Sequence, residues 1–371
     1  MKILHTSDWH LGISVHGASM LDEQRHFAGE LIKIIKENNI DAVIVSGDVF
    51  DSTVASAEAI SLYNDIATSI CRDLSVKLIV IAGNHDGAVR LSSMHALLEK
   101  TGLYIYGGLE RVIKPVIIGN AAIYPIPYFN TDKVRALYPD ENITSADTAM
   151  ACVCNHIYEN MDNNMFNIAA AHAFVSGAEL SESDRSAVIV GASVMVSKSV
   201  FDKFSYTALG HLHKPQNVSE KVRYSGTPVK YSFSEVSSDK SVTVIDTENG
   251  EISYIPLKPL HDMRIIRGSA EEIASAKPSE DYIKLEITDR YIGAEFFTEM
   301  KERFPNLLQM TGKTDSGTAE MSISAEKIEK LSTEEILESF FCDIYGISPE
   351  KEQILSFAKA FEKAEKGDGL E

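Results

Sequence analysis

The chain has 371 residues, of which 44% are hydrophobic and 24% charged. That composition excludes a wholly disordered polypeptide, and at roughly 100–200 residues per domain the length calls for more than one domain. Thirty-five basic against fifty-four acidic residues leave a formal net charge of −19, the wrong sign for a protein that coats nucleic acid through its own lysines and arginines.

No run approaches the roughly 18 apolar residues of a membrane span. The opening MKILHTSDWHLG turns polar after four residues and reads as no secretory leader, and four cysteines make no disulfide framework. A soluble, cytoplasmic chain with reduced thiols is expected.

The first half alternates β-branched runs with helical periodicity. KILHTSD (2–8), DAVIVSGD (41–48) and KLIVIAGNHD (77–86) read as buried strands, each ending in a polar cluster. Between them, Glu23–Asn38 places Phe27, Leu31, Ile34 and Ile35 on one helical face, and Ser56–Leu74 does the same with Ile60, Tyr63, Ile66, Ala67 and Ile70. This β-α-β-α-β order predicts a largely parallel sheet with helices on its faces. AAIYPIPYF (121–129), FNIAAAHAF (166–174) and YTALGHLH (206–213) are further strands, and VTVIDTENGEISYIPL (242–257) is a hairpin turning at Asn249-Gly250.

KPLHDMR (258–264) marks a boundary, because the polar strand ends stop there. The expected domains are residues 1–260, a smaller α/β unit over 265–330, and a helical tail over 331–371. In the smaller unit YIKLEITD is a strand, GAEFFTEMKERF a helix stopped by Pro305, and LLQMTG a strand. The tail carries two amphipathic segments, TEEILESFFCDIYG and SPEKEQILSFAKAFEKAEKG, the first opened by a capping box of Ser332 and Glu335.

Five pieces carry chemistry: Asp8-Trp9-His10, Gly47-Asp48-Val49-Phe50-Asp51, Gly83-Asn84-His85-Asp86, His172, and Gly210-His211-Leu212-His213. Carboxyl ends of strands in an open α/β sheet converge on one crevice, so these groups are expected to meet. Carboxylates, imidazoles and one amide oxygen without thiolate suit Mn²⁺, Fe²⁺ or Zn²⁺, and are too rich in histidine for Ca²⁺ or Mg²⁺ alone. Residues two apart on an extended segment share a face, so Asp8 with His10 can grip one ion and His211 with His213 can serve adjacent ions.

The order D-x-H, G-D-x-x-D, G-N-H-D, H, G-H-x-H resembles the calcineurin-like binuclear metallophosphoesterase superfamily. Within it, TSDWHLG, GDVFDS, AGNHD, AHAFVSGAELSESDR, ALGHLHKPQ and RYSGTPVKYSFSE are similar to the nuclease subunits of bacterial SbcCD-type complexes. The likeness is strong over residues 1–260 and looser beyond. It implies a four-layer α/β/β/α sandwich with a smaller α/β capping domain and C-terminal helices. It implies one metal on Asp8, His10 and His213, another on Asn84, His172 and His211, and Asp48 bridging the two. His85 is then the catalytic histidine beside the scissile phosphate, oriented by Asp51, and Asp86 a supporting or structural group.

The activity so implied is Mn²⁺-preferring DNA cleavage by two divalent ions, as a 3′-to-5′ exonuclease on duplexes and an endonuclease on single strands and hairpins. The implied partners are DNA, a second copy of the chain, and an SbcC-type ATPase whose coiled coil receives the C-terminal helices through Ile336, Leu337, Phe340, Phe341, Ile354, Leu355, Phe357, Ala358 and Phe361. No P-loop is present, so ATP hydrolysis must reside in the partner. The competing readings are a small-molecule or cyclic-nucleotide phosphodiesterase on the same fold, and a non-catalytic scaffold.

Blander readings hold elsewhere. Cys152-Val153-Cys154-Asn155-His156 invites a metal, but positions i and i+2 of a helix face apart, so core thiols are expected. His5, His16, His26, His95, His156 and His261 read as structural or surface histidines, with His16 and Arg25 near enough to the first motif to touch a substrate backbone. Glu179, Ser181, Glu182, Ser183, Asp184 and Arg185 form a polar loop.

Overall fold

The structure, a computed structural model, describes residues 1–180, 195–291, 294–313 and 320–324. Two compact units divide the chain, one of residues 1–13 with 20–260, the other of residues 14–19 with those from 261 onward.

In the first unit, β1 (Lys2–Thr6), α1 (Leu21–Glu37), β2 (Ala42–Ser46), α2 (Ala57–Thr68), β3 (Lys77–Ile81), the one-turn helices α3 (Ala88–Leu91) and α4 (His95–Leu98), and β4 (Leu103–Tyr106) come first. There follow β5 (Val116–Ile118), β6 (Ala121–Ile126), α5 (Thr131–Leu137), α6 (Ala146–Glu159), β7 (Phe166–His172), β8 (Tyr206–Gly210), β9 (Gln216–Asn217), β10 (Val222–Tyr224), β11 (Ser241–Asp246) and β12 (Ile252–Pro256). Local chemistry starts the helices. Asp22 and Glu23 in the first turn of α1 and Lys36 in its last oppose the helix dipole. The Ser56 hydroxyl caps α2 by accepting from the Ala59 amide, and Ser145 with Thr148 forms a capping box at α6.

One sheet runs β12-β11-β1-β2-β3-β4 and the other β9-β10-β8-β7-β6-β5. In the first, β1 to β4 are parallel and β11 joins β1 antiparallel; in the second, β6, β7, β8 and β10 are parallel. Parallel strands buried on both faces need uninterrupted apolar runs, which is why the chain's β-branched stretches became these strands. Ile3, Ala42, Ile44, Ile79 and Ile81 of one sheet meet Ile123, Ile168, Ala170, Tyr206 and Ala208 of the other in a shared core. The outer face of the second sheet, with Tyr124, Ala169, Ala171 and Leu209, is covered by Val134 of α5 and Met150, Val153 and Ile157 of α6. On the first sheet Leu4, Val43, Val45, Leu78 and Val80 are fully buried on the opposite face, as alternation requires of a face covered by the connecting helices. The layering is α/β/β/α.

The second unit has β13 (Met263–Gly268), α7 (Ala270–Ser275), β14 (Tyr282–Tyr291), α8 (Ala294–Arg303), β15 (Leu307–Lys313) and β16 (Glu320–Ser324), with β13, β14 and β15 parallel and β16 antiparallel to β15. Its core is Ile273, Ile283, Leu285, Phe297, Met300, Phe304, Leu307 and Met310. The helices expected over Thr333–Gly367 lie outside the described residues. Ile60, predicted on the buried face of α2, is 44% exposed, and Leu62 is buried in its turn of the helix. Among the described residues no helix is long and apolar enough to cross a membrane.

Candidate metal centre

The polar residues singled out in the sequence sit at the carboxyl ends of five strands. Asp8 and His10 follow β1, Asp48 and Asp51 follow β2, Asn84 and His85 follow β3, His172 ends β7, and His211 and His213 follow β8. The first two loops run side by side, since the Asp8 amide donates to the Gly47 carbonyl at 2.9 Å and the His10 amide to the Asp48 carbonyl at 3.0 Å. Asp8, His10, Asp48 and His211 all have positive φ, at 52°, 43°, 50° and 107°. Such backbone costs of order 1–3 kcal/mol per residue and persists only where the surroundings enforce it. Gly47, at φ +91°, has no room for a side chain: a Cβ there would lie 2.3 Å from His172 Nδ1. A Cβ on Gly83 would lie 2.1 Å from Asp48 Oδ1.

Asp48 is placed by both of its oxygens. Oδ1 accepts from the His85 amide at 2.8 Å. Oδ2 lies 3.8 Å from His10 Nε2 and 3.4 Å from His172 Nε2, so one carboxylate oxygen faces two groups of ligands. On one side Asp8, His10 and Asp48 offer atoms all within 4.8 Å of one another, with the His213 ring centroid 5.1 Å from that of His10. On the other side Asn84 Oδ1 is 2.9 Å from His172 Nε2 and 3.0 Å from His211 Nδ1. The tautomer of His172 follows from its neighbours. Nδ1 faces the Ser46 carbonyl at 2.8 Å, and a carbonyl only accepts, so Nδ1 carries a proton and Nε2 is turned inward to Asp48 and Asn84.

Asp8 Oδ2 and both ring nitrogens of His10 are buried without a hydrogen-bond partner. Buried polar atoms are nearly always paired, and leaving one unpaired costs about 1–3 kcal/mol. Asp8 Oδ2 and one ring nitrogen of His10 can each donate an electron pair, which fits a divalent cation, and the surrounding oxygen and nitrogen donors fit it too.

A profile of the calcineurin-like phosphoesterase family matches residues 1–215, more than half of the chain. The chain belongs to the calcineurin-like phosphoesterases. A second profile, described as the type 5 capsule protein repressor C-terminal domain, matches residues 259–344. Among curated relatives, a protein from Staphylococcus saprophyticus named as the SbcD subunit of the SbcCD nuclease is 32% identical over 353 residues, covering 93% of this chain and 94% of that one. A protein of the same name from Staphylococcus epidermidis is 29% identical, covering 92% of each. The crystal structure of TT1561 from Thermus thermophilus aligns at a TM-score of 0.42 and 12% identity, over 69% of this chain and 99% of that one; the family assignment rests on the sequences.

In this phosphoesterase the electrostatics favour a cation between the histidines and carboxylates. Burial pushes the Asp8 carboxyl up, opposed by the charge on His172. Burial also works against a charged Asp48, but His172, His10 and His85 outweigh it and hold that carboxyl well below the usual range. Burial opposes charge on His172 as well, and Asp48 overcomes it, raising the imidazole. His211 is driven the other way, to about 3, by burial and by the charge on His172.

His85 is exposed to the cleft, its Nδ1 donating to the main-chain carbonyl of Asp51 at 2.9 Å. Asp51 thus meets His85 through its main chain, and its carboxylate is turned to His10 Nδ1, at 3.5 Å. Asp86 is a brace: buried, it accepts from the amides of Val49, Phe50 and Gly83 and ties the second loop to the third.

Sequence reasoning missed three supporting residues. Glu235, from the quoted YSFSE, is buried, with Oε1 3.2 Å from His213 Nδ1 and Oε2 2.5 Å from Lys240 Nζ. Lys240 and His213 together draw its carboxyl down to about 2 against the effect of burial. A carboxylate on Nδ1 is the usual support of a metal-binding imidazole. Gln24 donates to the carbonyls of Trp9 and His10 and accepts from the Gly12 amide, and the Tyr231 hydroxyl donates to the Trp9 carbonyl. Of the remaining sequence candidates, Arg25 pairs with Asp22 on α1, and Glu179 pairs with Lys214. Ser181 to Arg185 lie outside the described residues.

Proposed function

We propose that this chain is the nuclease subunit of an SbcCD-type complex, a two-cation phosphodiesterase that cleaves DNA with Mn²⁺ preferred. It would shorten duplexes from the 3′ end and cut single strands and hairpins. The observation that carries this reading is Asp48, one of whose oxygens faces both His10 and His172 while the other is held by the His85 amide. Similarity along more than nine-tenths of the chain to proteins named as SbcCD nuclease subunits supports the substrate and the complex, and disfavours a small-molecule phosphodiesterase or a scaffold.

Asp8, His10, Asp48 and His213 would hold one cation, and Asp48, Asn84, His172 and His211 the other. Bound there, divalent cations supply Lewis-acid stabilisation of the phosphate charge in an in-line displacement. The chain's own residues do the rest. Asp48 sets the spacing of the two ligand groups. Ser46 and Glu235 fix the ring orientations of His172 and His213. His85, its Nδ1 tied to the Asp51 carbonyl, presents Nε2 to the cleft, where it can hydrogen-bond a phosphate oxygen or give a proton to the departing 3′ oxygen.

The test compares end-labelled duplex DNA with bis-p-nitrophenyl phosphate in Mn²⁺ or EDTA, using the wild type and His85→Ala. Mn²⁺-dependent shortening of the duplex is expected, with His85→Ala retaining Mn²⁺ and losing about 10²–10⁴ in rate. Loss of Mn²⁺ from that variant would sink the role of His85. Hydrolysis of the small diester but never of DNA, with the ATPase partner added, would sink the nuclease reading.

The apolar C-terminal segments, in residues 331–371, suit docking in a groove of the SbcC-type coiled coil. For the second copy of the chain we propose contact through Val89 of α3, Met94 just before α4 and Leu97 of α4, which are 86%, 72% and 70% exposed. Leu97→Glu should convert a dimer to a monomer in light scattering; a dimer that survives it speaks against this surface.

A further inference from the structure

A separate cluster of metal-ligating side chains lies between α6 and the loop that leads into it. Cys152 and His156 are four residues apart on α6 and so share a helical face; Glu141 comes from the loop after α5. Both thiols are buried in the core as expected, Cys154 fully and Cys152 at 7% exposure. The Glu141 carboxylate, the Cys152 sulfur and a His156 ring nitrogen lie within 4.8 Å of one another.

The ring of His156 is held on three sides. Its Nδ1 is 3.3 Å from Glu159 Oε2, and a carboxylate accepts, so Nδ1 carries the proton. Its Nε2 is 3.9 Å from Glu141 Oε1. Tyr138 stacks on it with centroids 4.5 Å apart and planes at 9°. A carboxylate that takes the outer N–H of a histidine while its inner nitrogen faces other ligands is the usual support of a metal-binding imidazole. Burial and the nearby Glu141 charge push the Cys152 thiol up, and the sulfur, nitrogen and oxygen converge within reach of one ion.

We propose that Glu141, Cys152 and His156 form a third cation site, selective for Zn²⁺ or a similarly borderline divalent ion, with a fourth position open to water. Thiolate, imidazole and carboxylate suit Zn²⁺, whereas the strand-end centre offers only oxygen and nitrogen and suits harder ions. The ion ties the loop between α5 and α6 to the helix it precedes, as a structural clamp on the outer helical layer. Binding displaces the thiol proton, so affinity falls with falling pH.

Titrating the metal-stripped full chain with Co²⁺ as a spectroscopic stand-in separates this site from the strand-end centre, because only a cysteine ligand gives a thiolate-to-cobalt charge-transfer band. One equivalent of that band is expected, displaced by Zn²⁺, absent in Cys152→Ser and retained in Cys154→Ser. Glu141→Gln, at an exposed side chain that leaves folding alone, and Glu159→Gln should each weaken Co²⁺ at this band about 10–100-fold. A wild type without the band, a band that survives Cys152→Ser, or a Glu141→Gln variant of undiminished affinity would overturn the site. None of these results bears on the nuclease reading, which uses other residues.

Discussion

At the scale of single residues, the centre is organised by which atom of each ligand is already engaged. Ser46 takes the outer N–H of His172, Glu235 that of His213, and the His85 amide takes one oxygen of Asp48. What is left over points inward. Glu235 is the most exacting of these supports, because it is buried and also neutralises Lys240. Glu235→Gln should lower Mn²⁺ affinity about 10–100-fold by loosening His213. It should also destabilise the fold by about 3–5 kcal/mol, since Lys240 is left buried without its partner's charge. Calorimetric Mn²⁺ titration and urea unfolding measure the two; unchanged Mn²⁺ affinity would remove Glu235 from the metal centre. The ligands were legible because each lies within a few residues of a recognisable strand end. Glu235, Gln24 and Tyr231 were not, because their partners are 22, 14 and 222 residues away and are met only after the sheets close.

At the scale of elements, β1 shows how a buried histidine can bind two sheets together. His5 Nε2 donates to the Leu209 carbonyl at 3.2 Å, and Nδ1 accepts from the Tyr206 hydroxyl at 3.0 Å, linking β1 to β8. That neutral tautomer uses both nitrogens, and burial, helped by Arg223, lowers the pKa from 6.5 to about 3. Below pH 6.5 the unfolded chain takes a proton on His5 that the folded chain refuses until about pH 3, so this residue's contribution favours folding at neutral pH and is lost as the pH falls. His5→Asn should therefore lose less stability than the wild type between pH 7 and pH 5, by about 2 kcal/mol. Equal losses in urea unfolding at the two pH values would contradict a neutral, buried His5. Strands β1, β2 and β3 were legible as uninterrupted β-branched runs. Strand β13, MRIIRG, was not, because arginines flank its two isoleucines and hide the apolar period; the Ser269–Glu272 box that starts α7 was also passed over. The metal reading of Cys152 and His156 was set aside for a related reason: the two cysteines face apart, and the spacing of four from Cys152 to His156 matters only with Glu141, which the α5–α6 loop supplies.

At the scale of the whole molecule, a formal charge of −19 and a polyanionic substrate look incompatible until the strand-end centre is considered. On the proposed reading two divalent ions would bring about four positive charges to the point where the phosphate sits. Acidity elsewhere then costs affinity for non-specific DNA but leaves the reaction site attractive. On the proposed reading, Asp48 joins two cation sites into one phosphodiesterase centre. The decisive experiment is to measure Mn²⁺ stoichiometry and Mn²⁺-dependent shortening of end-labelled duplex DNA for the wild type and Asp48→Asn, with circular dichroism to confirm that the variant is folded. Two Mn²⁺ per wild-type chain with cleavage are expected, and a folded variant that has lost both tight Mn²⁺ binding and cleavage. A folded Asp48→Asn that still binds two Mn²⁺ and still cuts the duplex would contradict that role for Asp48.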